Sequence, residues 1–165
     1  MTLPALERSK SVNKILPMDW AYLLNSFDGR IGRQTFWIAF GVVMVAEIFG
    51  HFIAEQIQGD RLSAIVDLAF TYPEFAIAAK RGQDRNMPLW LIGAFFAAGV
   101  LLDLLTVVGL AGTDDEPSLI SLVIAVPFTL FGLALLVELG FRKGTTGPNR
   151  YGPDPLEPQA SPPRG

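Results

Sequence analysis

Glu47, His51 and Glu55 repeat every four residues inside an otherwise apolar run, so in a helix they line one stripe with neighbouring turns in contact. Two carboxylates flanking an imidazole are the groups needed to relay protons or hold a cation. Asp67 and Glu74, seven apart, share a face of the next apolar segment, and Asp103 lies beyond the midpoint of a third. A charge at the centre of a membrane helix costs about 2.5 to 3.5 kcal/mol on insertion scales, which turns such residues toward the bundle interior or toward water. One reading is therefore a proton or cation path. The blander and favoured reading leaves Glu55 in water at the outer rim, lets Glu47 and His51 satisfy one another or a neighbouring helix, and assigns Asp67 and Glu74 to a packed interior helix bent at Pro73.

A second set is basic and polar: Arg30 and Arg33, then Arg81 and Asp84, then Asn149, Arg150 and Tyr151. Such residues can bind anionic headgroups, or pair with one another as a structural clamp. No nucleophile with an adjacent base, no zinc-protease motif and no paired catalytic carboxylates can be found, so no catalytic residue is assigned and the expectation is a non-enzyme. The sequence has one histidine and no cysteine, which excludes disulfides, thiolate metal sites and cysteine nucleophiles. Neither a metal nor a cofactor is expected.

The elements that carry these residues are membrane spans. Of 165 residues, 50 % are hydrophobic and 18 % charged, and the mean hydropathy is +0.37. Residues 118–137 form a run of 20 without a charge, matching the roughly 20 residues that cross a bilayer core as a helix. The expected fold is an all-α polytopic membrane protein with four transmembrane helices, at about residues 34–57, 61–79, 88–112 and 118–140. A polar island at residues 79–88 joins the second to the third. Residues 1–17 read as a flexible cytoplasmic arm, 18–155 as the integral membrane domain and 156–165 as a disordered tail.

Finer features follow from spacing. Leu16, Trp20, Leu23, Leu24 and Phe27 fall on one face of a short N-terminal interfacial helix opened by Pro17. Gly93, Ala94, Ala97, Ala98 and Gly99 offer a small-residue surface for close helix contact. Asp114, Asp115 and Glu116 stand at the positive end of the fourth helix dipole. Pro127 and Gly132 predict a kink in that helix. The stretch after Lys143 is too rich in Gly and Pro for regular structure.

Charge sets the orientation. Residues 1–33 hold five Lys/Arg, the island three and the tail from Arg142 four, leaving only Arg61 elsewhere. With four spans those three regions share a face, and the positive-inside rule puts both termini in the cytoplasm. Trp20, Trp37 and Trp90 fall near the same interface, as an aromatic belt would.

Three separated motifs coincide with one family: Phe27-Asp28-Gly29-Arg30 with Arg33, Phe36 and Trp37; the island with Arg81 and Asp84; and residues 147–155, from Gly147-Pro148-Asn149-Arg150-Tyr151 to Pro155. Over about residues 18–155 the sequence resembles the small bacterial inner-membrane proteins grouped as domain of unknown function 805. Gln83 stands where the family pattern has a histidine, and Lys80 and Gly82 also depart from it. The resemblance implies a four-span protein of the bacterial inner membrane and supplies no activity. The expected function is a membrane module whose cytoplasmic cluster binds anionic lipid headgroups or a protein partner, with Asp84 paired to an arginine and the tail folded back under the bundle. The alternative is a small transporter or channel using the intramembrane acids, which would need a homo-oligomer. Nucleic-acid binding is not expected, because the basic residues are dispersed around membrane-flanking loops.

Overall fold

The computed structural model describes residues 18–112 and 116–157; the expected arm at residues 1–17, Asp114, Asp115 and residues 158–165 lie outside the described residues. A short helix α1 (Trp20–Asn25) is opened by Asp19, whose carboxylate accepts from Tyr22 N–H at 3.0 Å. Helix α2 (Arg33–Gln58) turns at Gly59, where φ is 64°, into α3 (Asp60–Asp84). Helix α4 (Leu89–Val107) follows. Ser118 then caps α5 (Leu119–Leu136), which continues as a π turn over Val137–Phe141. Among the described residues, extended pairing is limited to isolated bridges at Gly112 with Pro117 and Asn149 with Gly152.

Four helices are long and apolar enough to cross a membrane: Arg33–Ile57, Asp60–Asp84, Leu89–Val107 and Leu119–Phe141. The chain is an all-helical, multi-pass membrane protein. Large apolar side chains such as Val45, Phe49, Val123 and Leu130 stay exposed along these helices, as lipid-facing surface requires.

Two helix ends differ from the sequence expectation. Helix α3 does not stop near Ala79; it runs through the first half of the island to Asp84 and ends in a Schellman turn. Asn86 adopts φ 56°, Met87 N–H donates to Gly82 O at 2.9 Å, and Asn86 N–H donates to Gln83 O at 3.0 Å. The polar residues remain helical because their side chains find partners inside the fold. Helix α4 ends at Val107 instead of about residue 112, since Leu110 and Ala111 N–H both turn back to Leu105 O, at 2.8 and 3.1 Å, across a left-handed Gly109.

The buried core, including Phe36, Ala39, Val43, Ile77, Ile92 and Leu139, gathers α2, α3, α4 and the π turn at the island end. Helix α5 packs on α4 and meets α2 and α3 chiefly through its terminal turn. The α4–α5 seam uses one glycine from each side: a side chain on Gly99 would press on the Phe128 ring and one on Gly132 on Phe95, and those rings stack at 4.5 Å. Gly93 has nothing within 4 Å, so it takes no part in that seam. Helix α5 continues past Pro127, and α3 likewise past Pro73.

Candidate functional site

The end of α3 is a polar hub in which each side chain has its own target. Lys80, Arg81, Gln83 and Asp84 are buried. Lys80 Nζ donates to Leu23 O at 2.8 Å, Tyr22 O at 3.1 Å and Ser26 O, closing the C-terminal end of α1. It also lies 5.1 Å from the centre of the Tyr22 ring, whose hydroxyl donates to Asp28 O at 3.0 Å. Burial, then the charge of Asp28, raises that phenol above its ordinary pKa. Gln83 Nε2 donates to Phe27 O at 2.7 Å, while its Oε1 is buried without a partner among the described residues.

Asp84 joins two arginines. Its Oδ1 lies 3.1 Å from Arg30 Nε and 3.0 Å from Arg30 Nη2, and its Oδ2 accepts from Arg81 Nη1. Arg30 spends its remaining donors on the tail, reaching Thr145 O at 2.6 Å, Gly147 O at 2.7 Å and Gly152 O at 3.2 Å. Asn149 Nδ2 donates to Gln83 O at 2.9 Å, and Thr145 N–H to Asp84 O at 2.8 Å. The tail is therefore docked through residue 152 by side chains from the α1–α2 turn and from α3.

The end of the last helix is closed in the same manner. Five successive carbonyls accept from side chains: Leu139 O from Arg81 Nε at 2.6 Å, Gly140 O from Trp37 Nε1 at 3.0 Å, Phe141 O from Arg33 Nη1 at 3.2 Å, Arg142 O from Arg81 Nη2, and Lys143 O from Arg85 Nη1. A helix leaves its last carbonyls without internal partners and carries partial negative charge there, so guanidinium groups suit that position. Glu138 adds ion pairs to Arg85 and to Arg142, the latter at 2.6 Å.

Of the residues singled out from sequence in this cluster, Arg30 and Arg81 meet on Asp84, and Asn149 joins them indirectly through Gln83 O and Thr145 Oγ1. Arg33 sits on the rim with one hydrogen bond. Arg150 lies over the Tyr151 ring at 4.6 Å, and both reach Met87 O, at 3.3 and 3.2 Å. Lys80, Gln83, Trp37, Glu138 and Thr145 belong to the same network but were not among the expected cluster residues. Their targets are backbone carbonyls or distant partners, for which residue type gives no signal.

The acidic residues converge elsewhere, toward the other end of the bundle. His51 Nδ1 is 3.2 Å from Asp67 Oδ1, and its Nε2 is 3.2 Å from Glu55 Oε1. Its partners are thus Asp67 on α3 and Glu55, not Glu47. Glu47 instead lines the same space as Glu74. A cavity of about 270 Å³ is lined by Glu47, Asp67, Glu74 and Asp103 together with Phe95, Phe96 and Phe128. Glu47 and Asp67 also line a neighbouring space of about 350 Å³ with His51 and Glu55. Glu74, Phe95, Phe96 and Phe128 continue into a third, of about 370 Å³, walled by Phe36, Phe40, Ile92 and Leu139. The three spaces adjoin along these shared residues as a crevice region that is acidic toward Asp103 and apolar toward Leu139. Asp103 has no hydrogen-bond or ion-pair partner among the described residues. Among those residues no three His, Asp or Glu side chains group as a metal-ion site, so the carboxylates surround a space and do not close on a point.

The three sequence motifs thus lie in one docked network. A family model described as a protein of unknown function, DUF805, matches residues 24–153. The chain belongs to the DUF805 family. Two relatives, the Uncharacterized protein YiiR of Escherichia coli strain K12 and that of Escherichia coli O157:H7, are 32 % identical over 141 residues, covering 79 % of this chain and 86 % of the relative. No solved structure matches. The DUF805 match starts within α1 and ends at Pro153, so it takes in the crevice, the docked tail through residue 152 and the hub apart from Tyr22 and Leu23.

Proposed function

We propose that this DUF805 protein is a non-enzymatic membrane module that binds an amphipathic organic cation within the bilayer. The observation that carries the reading is the adjacency of two spaces: four carboxylates, Glu47, Asp67, Glu74 and Asp103, border one, and it shares Glu74, Phe95, Phe96 and Phe128 with a second walled by phenylalanine and leucine. A cationic head would lie among the acids and an apolar body among the rings, where aromatic faces also attract cations. Among the described residues, no Lys or Arg lines any of the three adjoining spaces. The spread of the acids suits a bulky cation better than a bare metal ion.

The hub supports binding over conduction. Its donors are spent on the chain's own carbonyls and carboxylates, which leaves Arg30, Arg81 and Asp84 little to offer a ligand and seals the bundle opposite the crevice mouth. We place the protein in the bacterial plasma membrane with the hub and both termini in the cytoplasm. The clustering of twelve of its 13 Lys/Arg, by sequence position, in residues 1–33, the island and the tail supports this, as does kinship with proteins of Escherichia coli.

The test is binding of radiolabelled tetraphenylphosphonium, an apolar cation, to the protein in lipid nanodiscs. Glu74→Gln and Asp103→Asn should each weaken binding about tenfold, equivalent to about 1.4 kcal/mol. An affinity untouched by both substitutions in folded protein would remove the proposal.

A further inference from the structure

We infer that a separate cavity at the other end of α2, beside Arg33, holds the phosphate of an anionic phospholipid. The space is about 460 Å³ and is lined by Arg33, Gln34, Trp37, Gly140, Phe141 and Leu156. Its one charged lining residue is positive. Arg33 commits a single N–H, to Phe141 O at 3.2 Å, and its Nε and Nη2 have no acceptor among the described residues. Arg142 and Lys143 follow Phe141 directly and are exposed, Arg142 sharing Glu138 with Arg85. Helix α2 begins at Gly32 with no side-chain cap, so its first-turn amides add partial positive charge on the same side.

The apolar half of the site selects a lipid over a free anion. Trp37 is anchored by its indole N–H on Gly140 O and packs edge-on to Phe141 at 5.5 Å, while Leu156 is 82 % exposed. An indole, a phenyl ring and an isobutyl group lying where a span begins are suited to the glycerol backbone and first acyl carbons, with the guanidinium at headgroup level. The cavity shares no lining residue with the acidic part of the crevice, so either proposal can fail without the other.

The full chain, reconstituted in bilayers of phosphatidylcholine and phosphatidylglycerol, would be released into mild nonionic detergent and weighed by native mass spectrometry. Phosphatidylglycerol should be retained over phosphatidylcholine in the wild type. Arg33→Gln should lower that retention about fivefold, the worth of roughly one cation at an anionic surface. Leu156→Asp, at an exposed position where no packing is lost, should do the same, whereas Arg150→Gln, a basic residue outside the cavity, should not. Equal retention of both lipids, an effect of Arg150→Gln as large as that of Arg33→Gln, or no response to Leu156→Asp would overturn the assignment. Displacement of the lipid by excess inorganic phosphate would overturn the choice of a lipid.

Discussion

Arg30 and Arg81 grip opposite oxygens of one carboxylate, that of Asp84, and all three side chains are buried. Each arginine then reaches a different part of the chain, Arg30 the tail and Arg81 the end of α5. Asp84 is the counter-charge that lets two guanidinium groups share that space.

Neutralising it should be costly. Asp84→Asn leaves two buried cations facing each other, and removal of one partner from a buried pair costs about 3–5 kcal/mol. A large drop in the thermal midpoint in detergent is expected, against almost none for Arg150→Gln at the exposed edge. Equal midpoints for Asp84→Asn and wild type would show that the hub does not hold the fold.

The seat of Trp37 depends on a missing side chain. A methyl on Gly140 would overlap the indole, with Cε2 only 3.1 Å away and Cζ2 closer. Gly140→Ala should destabilise by about 1–3 kcal/mol through overpacking and shift tryptophan emission to the red. Gly93→Ala, with open space around it, should be neutral or stabilising by up to about 1 kcal/mol because it improves helix propensity. A reversed order of the two variants would contradict the packing described.

Docking of the tail should weaken in acid. Asp154 accepts from Leu156 N–H at 2.9 Å and Gly147 N–H at 3.0 Å. Those bonds, with the nearby charge of Arg30, hold its carboxyl below the ordinary 3.8. A depressed folded-state pKa means the contribution is present above the ordinary value and is lost as pH falls through the folded one. Amide exchange at Gly147 should therefore accelerate as pH drops below about 4 relative to reference peptides, and Asp154→Asn should remove that dependence. A Gly147 amide whose protection ignores both changes would show the bond to be idle.

Orientation can be read with single cysteines, since the chain has none of its own. Gln83 is only 2 % exposed and is a poor reporter, whereas Gln56, in the last turn of α2, and Lys143, just after the last helix, are both exposed. Lys143→Cys should react only with reagent admitted to the cytoplasmic side, and Gln56→Cys with reagent outside. Labelling of both from one side would break the four-span topology.

How far these features were legible differs by kind. Spans could be read because lipid demands long uncharged runs, whereas the cost of facing charge to hydrocarbon said only that Asp67, Glu74 and Asp103 turn to the interior or to water, not that they line one space. The length of α3 was harder, because Lys80 and Gln83 look like loop residues until their acceptors are known, and those carbonyls lie 54 to 58 residues earlier in the chain. Asn86 and Pro88 did mark the true helix end, but the polar island before them masked it. Gly93 and Gly99 were indistinguishable in sequence, and only the position of Phe128 separates them.

The π turn at Val137–Phe141 makes the join between membrane and tail a matter of counting. One residue in an α-helix rotates the backbone by about 100°, so a deletion within these five residues would swing Leu139, Gly140 and Phe141 off the side chains that hold them. The exposed Val137 and Phe141 can be exchanged for other apolar residues at little cost. The spacing between Leu136 and Arg142 cannot, and natural variants of this chain should preserve that length, and Gly140 within it, even where they change the letters around it.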